Sequence, residues 1–529
     1  MTLLLYAFVI APIFIGLLGY IFNRTFFKWL AMVMQLGFIL ITIALLRAPH
    51  MELMLLDIPP PFGMKLKLDE ISKVFILLNN FLFFSLMLFS SKKKYMDRLF
   101  TFLFLSLQGL INGLFLSTDI FNVYILIEVA TITVSILIMY KKDKQSMYDG
   151  MLYLTVNMIA MTFFLFGIGI LYKTVGVLDF ETIKDKIMLI DEPKYLNLSF
   201  AFLFTGVSLK AAVLPLFSWL PKAHGTASAP SIVSAVLSGI FVKIGIYLLL
   251  RIQFMYSSAI DVVPLISAIG YLTAIAGFIF AIAQTDIKLI LAYHTISQVG
   301  LMLIGFGGNN INQMGGLYHV LSHGVFKSLF FIIAGVLIYR FETRKIGDMR
   351  GLWWLSKPLS VILLVAVFSI TGAPFFSGGF SKYFIAYGRY NWTELFLLQL
   401  INLGTMTSFI KFILLIFKRP THEVNFFKIR KTEFTALITL ALTCVLLGTG
   451  GSFINVNLLN QDLVLSFSKQ ISKLPSYLLS YSFCFIIYFT LIKNNALLKK
   501  LRKVELSFNS INIAIVSFFI FTIAYLNMN

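Results

Sequence analysis

Two lysines stand deep inside apolar runs, Lys210 and Lys243, in the stretch AFLFTGVSLKAAVLPLFSWLPKAHGTASAPSIVSAVLSGIFVKIGIYLLLRI over residues 201–252. Pro215 and Pro221 interrupt the first run, and a small-residue turn from Gly225 to Pro230 follows. Proline removes a backbone donor and breaks the helical ladder. Inside a bilayer such a break survives only where protein or a water-lined cavity satisfies the freed carbonyls. An ionisable group within a membrane helix costs at least about 2.5–3.5 kcal/mol and marks a functional site. Glu128 lies in IFNVYILIEVATITVSILIMY. For a helix starting near Asp119 it sits about 13 Å in, close to the middle of a hydrocarbon core about 30 Å thick. Desolvation disfavours the charged form of either group, and proximity of opposite charge restores it. A Glu128–Lys210 pair that can separate is therefore a proton switch; the alternative is a static ion pair that fixes packing.

A second set repeats the theme. In GGLYHVLSHGVFKSLFF, His319, His323 and Lys327 recur every four residues, so they share one helix face. The HxxxH spacing could hold zinc, but no third ligand is evident, and histidine suits a proton relay near neutral pH. His294 and Gln298 in AYHTISQVG form another i, i+4 polar pair, and Lys382 follows Pro374 and Gly378-Gly379. Lys411 could equally snorkel out of its span, so it ranks below the others.

The elements that must position these groups are membrane helices. Of 529 residues, 59% are hydrophobic and only 12% charged, where a soluble domain carries about 25% charged. Long continuous apolar runs favour an all-α polytopic membrane protein over a β-barrel. About sixteen spans of about 20 residues fit the chain. A proline-interrupted span is the fourth of five in both 97–252 and 262–417. Five being odd, the two blocks must have opposite topology, the sequence sign of an inverted repeat. The expected division is N-terminal spans over 1–96, repeats over 97–252 and 262–417, and C-terminal spans over 433–529. The stretch from Asn457 to Leu474 is a candidate short interfacial helix. Leu3–Phe22 lacks a basic start and a small-residue cleavage site, so it is expected as a span rather than a signal peptide.

Odd-numbered loops hold roughly 26 basic residues, including Lys92-Lys93-Lys94, Lys141-Lys142, Arg344-Lys345, Lys428-Ile429-Arg430-Lys431 and Lys499-Lys500, against roughly 11 in even ones, which places odd loops in the cytoplasm. Both termini and loop 173–197 then face outside. The formal net charge of +20 is accounted for by these loops. Basic residues confined to short loops do not form a nucleic-acid surface. The two cysteines, Cys444 and Cys484, cannot build a disulfide framework or a metal site. GFGGNN at 305–310 lacks the lysine and context of a phosphate loop, and no haem or iron–sulfur pattern occurs. No cofactor, redox centre or hydrolytic site is expected in this chain.

DIFNVYILIE, LKAAVLPLFSWLPKAHGTASAPSIVSAVLSG, DIKLILAYHTISQVG, LYHVLSHGVFKSLFF and GAPFFSGGFSKYF resemble the antiporter-like membrane subunits shared by Mrp-type multisubunit Na+/H+ antiporters, respiratory complex I and membrane-bound energy-converting hydrogenases. The resemblance covers about 100–420, and DIFNVYILIE and AYHTISQVG look closest to the D-type component of the Mrp antiporters. It implies a core of about fourteen spans with two inverted five-helix repeats containing broken helices, here with about two extra C-terminal spans. It implies a mid-membrane row of titratable residues joined by water: Glu128 and Lys210 as the pair, Lys243 as bridge, Lys327 as the central lysine and Lys382 on the exit side. Gln298 stands where many members have histidine, with His294 as a substitute, and Pro374 is single where many have two prolines in a row. The expected function is a proton-translocating subunit of a multisubunit cation/proton antiporter in the cell membrane, partnered by other membrane subunits and surrounded by lipid. Whether Na+ is exchanged stays open. A proton-pumping subunit of a complex I-type or hydrogenase complex, and a stand-alone solute transporter, are the alternatives.

Overall fold

The computed structural model describes residues 3–22, 25–60, 63–190, 193–420, 429–459, 462–504 and 507–528. Of the basic loop residues named above, Lys428 lies outside them. Among the described residues, fourteen helices are long and apolar enough to cross a membrane. The two interrupted spans supply the remaining crossings: Pro193–Lys210 with the turns after it, and Lys357–Thr371 followed by Ser377–Ala386. The expected all-α membrane architecture is thus present. A two-stranded hairpin, Met51–Met54 against Lys65–Leu68, is an addition to it. Phe180–Ile187 is a short helix within loop 173–197, and the candidate interfacial stretch contributes Phe467–Ser472, which runs on into the next span.

The two repeats match element by element. Arg98–Leu116, Ile120–Ile138 and Lys144–Val175 precede the first break, and Ser231–Tyr256 follows it. Val263–Ala283, Ile287–Phe306 and Asn310–Phe341 precede the second, and Trp392–Phe417 follows it. The third helix has 32 residues in both, and the fifth span 26 in both. The second helix of each is started by an aspartate whose carboxylate accepts from a first-turn backbone N–H: Asp119 from Asn122, Asp286 from Lys288 and Leu289. Such caps satisfy donors that have no intrahelical partner.

The odd-numbered connections gather at one end of the bundle. Lys93 pairs with Glu433 at 2.8 Å, Arg430 donates to the Lys92 carbonyl, and Arg344 bridges Asp286 and the Gly225 carbonyl. Even-numbered ones gather at the other: Lys65 meets Glu181 at 2.9 Å, and Leu66 and Asp179 form bridges with Ser117 and Asp119. Inside the N-terminal part, buried amides tie helices together. Gln35 donates to Gln108, Gln108 to Asn80, and Asn79 to Asn112, at 2.7–2.8 Å. In an apolar medium such groups must satisfy one another.

The last two spans pack on the two broken helices. Phe467–Ile492 lies beside the second break, where Tyr477 shares a 2.8 Å hydrogen bond with Thr371. Phe508–Met528 lies along Pro193–Lys210, with Phe519 on Phe202 and Phe518 on Phe204.

Candidate functional site

The first broken helix ends at Lys210 itself. Pro215 has no N–H, so the last carbonyls need other donors. Val213 donates back to Ser208, Ala212 to Leu209, and the Trp219 indole to Leu209 at 2.8 Å. Ala212 adopts φ +55° to make the turn. The Leu214 N–H goes to Thr273 Oγ1, in the first helix of the second repeat. Lys210 is thus the last residue of its half-helix, the end at which a cation is favoured.

Lys210 is 1% exposed. Its ammonium donates to Thr131 Oγ1 at 2.6 Å and Asn157 Oδ1 at 3.1 Å, and lies 4.7 Å from the centre of the Phe241 ring. Glu128, one turn before Thr131, is half-buried at the edge of the bundle, next to exposed Ile125 and Val129. Thr131, one turn on, reaches Lys210, yet no ion pair within 4.0 Å joins Glu128 to Lys210 among the described residues. The two groups are therefore neighbours whose direct contact is replaced by Thr131 and Asn157. Sequence reasoning passes over both of these, though a lone asparagine in an apolar run is itself a signal.

Lys243 follows a widened π-helical turn, Leu237–Phe241. Its ammonium donates to the Ser238 carbonyl in that turn and meets His323 Nδ1 at 2.5 Å. This contact crosses from the first repeat to the second. It depends on close helix approach: a Cβ on Gly239 would lie 2.4 Å from Ser328 Oγ, and one on Gly324 3.0 Å from the Gly239 carbonyl oxygen. Small residues permit such approach between membrane helices.

His319, His323 and Lys327 are fully buried on Asn310–Phe341. The two imidazole centres are 6.2 Å apart. Lys327 donates to the Leu291 carbonyl at 2.7 Å, and His319 Nδ1 pairs with Ser381 Oγ at 2.8 Å. Ser381 adjoins Lys382, whose ammonium donates to the Ile370 carbonyl at 2.8 Å. Ile370 belongs to the last turn of the half-helix that ends at Thr371, so Lys382 reaches back across the break to a dipole end. Gly372 at φ +83° and Phe375 at φ +70° form the turn between. Among the described residues, no three or more of His, Cys, Asp and Glu gather as a metal site.

His294 is buried against Phe409, with neither ring nitrogen hydrogen-bonded, and Gln298 beside it has both amide atoms unpartnered. Nε2 of His319 and His323 is likewise unpartnered. Lys411 donates to the carbonyls of Ile282 and Gln284. Two more buried groups escape a reading of the sequence. His224 contacts the Leu220 carbonyl and packs on Phe331, and Lys288 donates to the Ala229 carbonyl. The signal for His224 is its place two residues past Lys222 in the broken segment.

The family profile described as NADH:quinone oxidoreductase/Mrp antiporter, TM, matches residues 117–410, and the chain belongs to this family. Proteins named as antiporter subunit mnhD2 in Staphylococcus aureus strains JH9 and Newman are 28% identical over 397 residues, covering 72% of this chain and 79% of theirs. The fold matches a chain of the Mrp complex from Dietzia sp. DQ12-45-1b with TM-score 0.78 at 20% identity, over 90% of this chain and 98% of that one. It also matches a chain of an archaeal membrane-bound sulfane sulfur reductase with TM-score 0.79 at 21% identity, over 90% and 99%.

Proposed function

We propose that the chain is the proton-translocating subunit of an Mrp-type multisubunit cation/proton antiporter. The observation that carries this reading is the Lys243–His323 contact. It links the Lys210 side of the first repeat to His319, Lys327 and Lys382 in the second, through groups that are all at least nine-tenths buried. Neighbouring bases in a low-dielectric medium disfavour holding charge at the same time. A proton arriving on one member therefore displaces the next, with water satisfying the unpartnered ring nitrogens. Lys210 gates the row, because Glu128 nearby favours its charged form, while motion toward Asn157 alone leaves that form less favoured. His294 and Lys411 extend the set toward the last helix of the second repeat.

A half-exposed carboxylate in mid-span supports a neighbouring subunit over Glu128, since lipid gives it no partner. The charge asymmetry of the loops supports a cell-membrane protein with odd connections cytoplasmic and both termini outside. Impermeant thiol reagents in intact cells should label Lys184→Cys and not Lys142→Cys; the reverse pattern overturns the orientation. The function is tested in the assembled complex, in inverted vesicles, by Na+-induced proton release. Lys243→Ala should stop it with normal subunit recovery, and full activity in that variant would falsify the relay. Expressed alone, the chain should show no solute uptake; robust uptake would favour a stand-alone transporter.

A further inference from the structure

A cavity of about 470 Å³ lies beside the second break. On one wall are Thr371, Gly372 and Lys382; on the other, Gln470, Lys473 and Ser480 of the span Phe467–Ile492. At about 30 Å³ of liquid volume per water, it holds on the order of ten waters. Tyr387 and Leu465 also line it, so it lies toward the end where the even-numbered connections gather. The C-terminal span is built into the break: Gln470 Oε1 accepts from the Phe375 N–H at 2.9 Å, and Tyr477 bonds Thr371. Two ammonium groups sit over the Tyr383 ring, Lys473 at 3.6 Å and Lys469 at 5.4 Å from its centre. Among the described residues, no carboxylate lines the cavity. The Asn402 side-chain carbonyl oxygen on its wall is buried without a partner.

We infer that the span Phe467–Ile492 completes a water-filled vestibule through which Lys382, expected on the exit side, exchanges protons with the even-connection side, and that Lys473 on its wall, with Lys469 beside it over the same Tyr383 ring, excludes metal cations. This rests on the relay reading above. An ammonium on Lys382 hands its proton to vestibule water, and the proton leaves along hydrogen-bonded waters. The lysine charge opposes proton and metal cation alike, but the proton passes by bond rearrangement along waters, whereas a hydrated metal cation has no such relay and would have to move bodily past that charge. The extra C-terminal span thus acts as a selectivity wall for the proton branch.

The test uses the assembled complex carrying Ser480→Cys, with Ser476→Cys as a second position and the unsubstituted chain as background for buried Cys444 and Cys484. Membrane-impermeant methanethiosulfonates bearing a sulfonate or a trimethylammonium group are applied from each side. We expect labelling only from the even-connection side, with the anionic reagent about fivefold faster, the effect of roughly one nearby like charge. A Lys469→Glu, Lys473→Glu double variant should reverse that preference, and modification should block proton transport relative to the same protein unmodified. Absence of labelling at both positions overturns the vestibule, as does labelling that leaves transport intact. An unchanged charge preference in the double variant overturns the cation exclusion. Lys382→Ala separates the two readings. Transport persisting without Lys382 sinks the relay itself, whereas transport lost in Lys382→Ala but intact after labelling sinks only the vestibule.

Discussion

The two broken helices put a lysine at a helix dipole end by different routes. In the first repeat Lys210 is the terminal residue of its own half-helix, held by two side chains, Thr131 and Asn157, with a carboxylate nearby. In the second, Lys382 comes from the following half-helix and is held by one backbone carbonyl, Ile370, with a cavity beside it. A side-chain partner can move and so can alternate; a backbone carbonyl cannot. Under the proposed relay, the first break acts as the switch and the second as a fixed station open to water. The two repeats share an architecture, and the groups placed at their breaks differ.

The largest effect expected from this difference is at Lys210. Glu128→Ala, Lys210→Ala and Lys210→Arg should each lower proton transport by roughly a hundredfold or more, as for loss of an essential acid–base group, with near-normal assembly. Arginine keeps its proton at any accessible pH. Wild-type rates in a well-assembled Lys210→Arg complex would show that this lysine never releases one, and the switch would fall.

Next come the histidines between the breaks. His319→Ala and His323→Ala should each slow transport about tenfold, about 1.4 kcal/mol in barrier, with no change in zinc content. Stoichiometric zinc in the purified subunit, removed by either substitution, would replace the relay with a metal site.

Asn157→Ala should slow transport less, while destabilising the charged form of Lys210 by about 1.5–3 kcal/mol, the worth of a hydrogen bond to an ion. A rate profile against pH that does not move in Asn157→Ala would make this bond structural only.

The smallest effect belongs to the charge cluster at the even end, which shares no residue with either break. Burial is the largest single effect on Lys65 and Lys67 and works against their charge, but hydrogen bonds to Glu181 (and, for Lys67, Glu52) together with the charges of Glu52, Glu181 and, for Lys65, Asp179 outweigh it and raise both above 10.5. Burial likewise works against Glu181, yet the same bonds hold it below 4.5. The lysine contribution is complete below the unfolded value and fades as pH rises through the raised one. The Glu181 contribution is complete above its unfolded value and fades as pH falls through the depressed one. The cluster therefore stabilises the hairpin between about pH 4.5 and 10.5. Glu181→Gln should cost about 1 kcal/mol or less, as for exposed pairs, and leave transport unchanged. A transport defect there would mean that the hairpin is coupled to the path.

Much of this arrangement is visible in the chain. Apolar runs give the number of spans, the prolines locate both breaks, and the four-residue spacing aligns His319, His323 and Lys327. What the sequence withholds are the partners. Lys243 and His323 are 80 residues apart, and only the close approach at Gly239 and Gly324 brings them together. Glu128 reads as a mid-membrane partner of Lys210 from its depth alone. Its rotation about the helix axis, which puts it at the bundle edge, is set by packing that depth does not encode. The hairpin at 51–68 is short and flanked by turns, below the length at which periodicity speaks. For Lys411 the sequence leaves burial and snorkelling open; three helix-end carbonyls, at Ala281, Ile282 and Gln284, lie within reach of its ammonium and keep it inside.

The C-terminal spans bear on how the molecule can move. One grips the second repeat at Thr371 and Phe375, the other lies along the first repeat beside Phe202 and Phe204, and the segment between them is anchored where Arg502 donates to the Ala283 carbonyl. A rocking cycle, in which one repeat tilts against the other to open a central site alternately to each side, would have to tear this clasp at every turnover. These contacts oppose that motion. The proposed relay does not need it: side-chain swings of a few ångströms and rearrangement of water carry a proton along the row without one repeat tilting against the other.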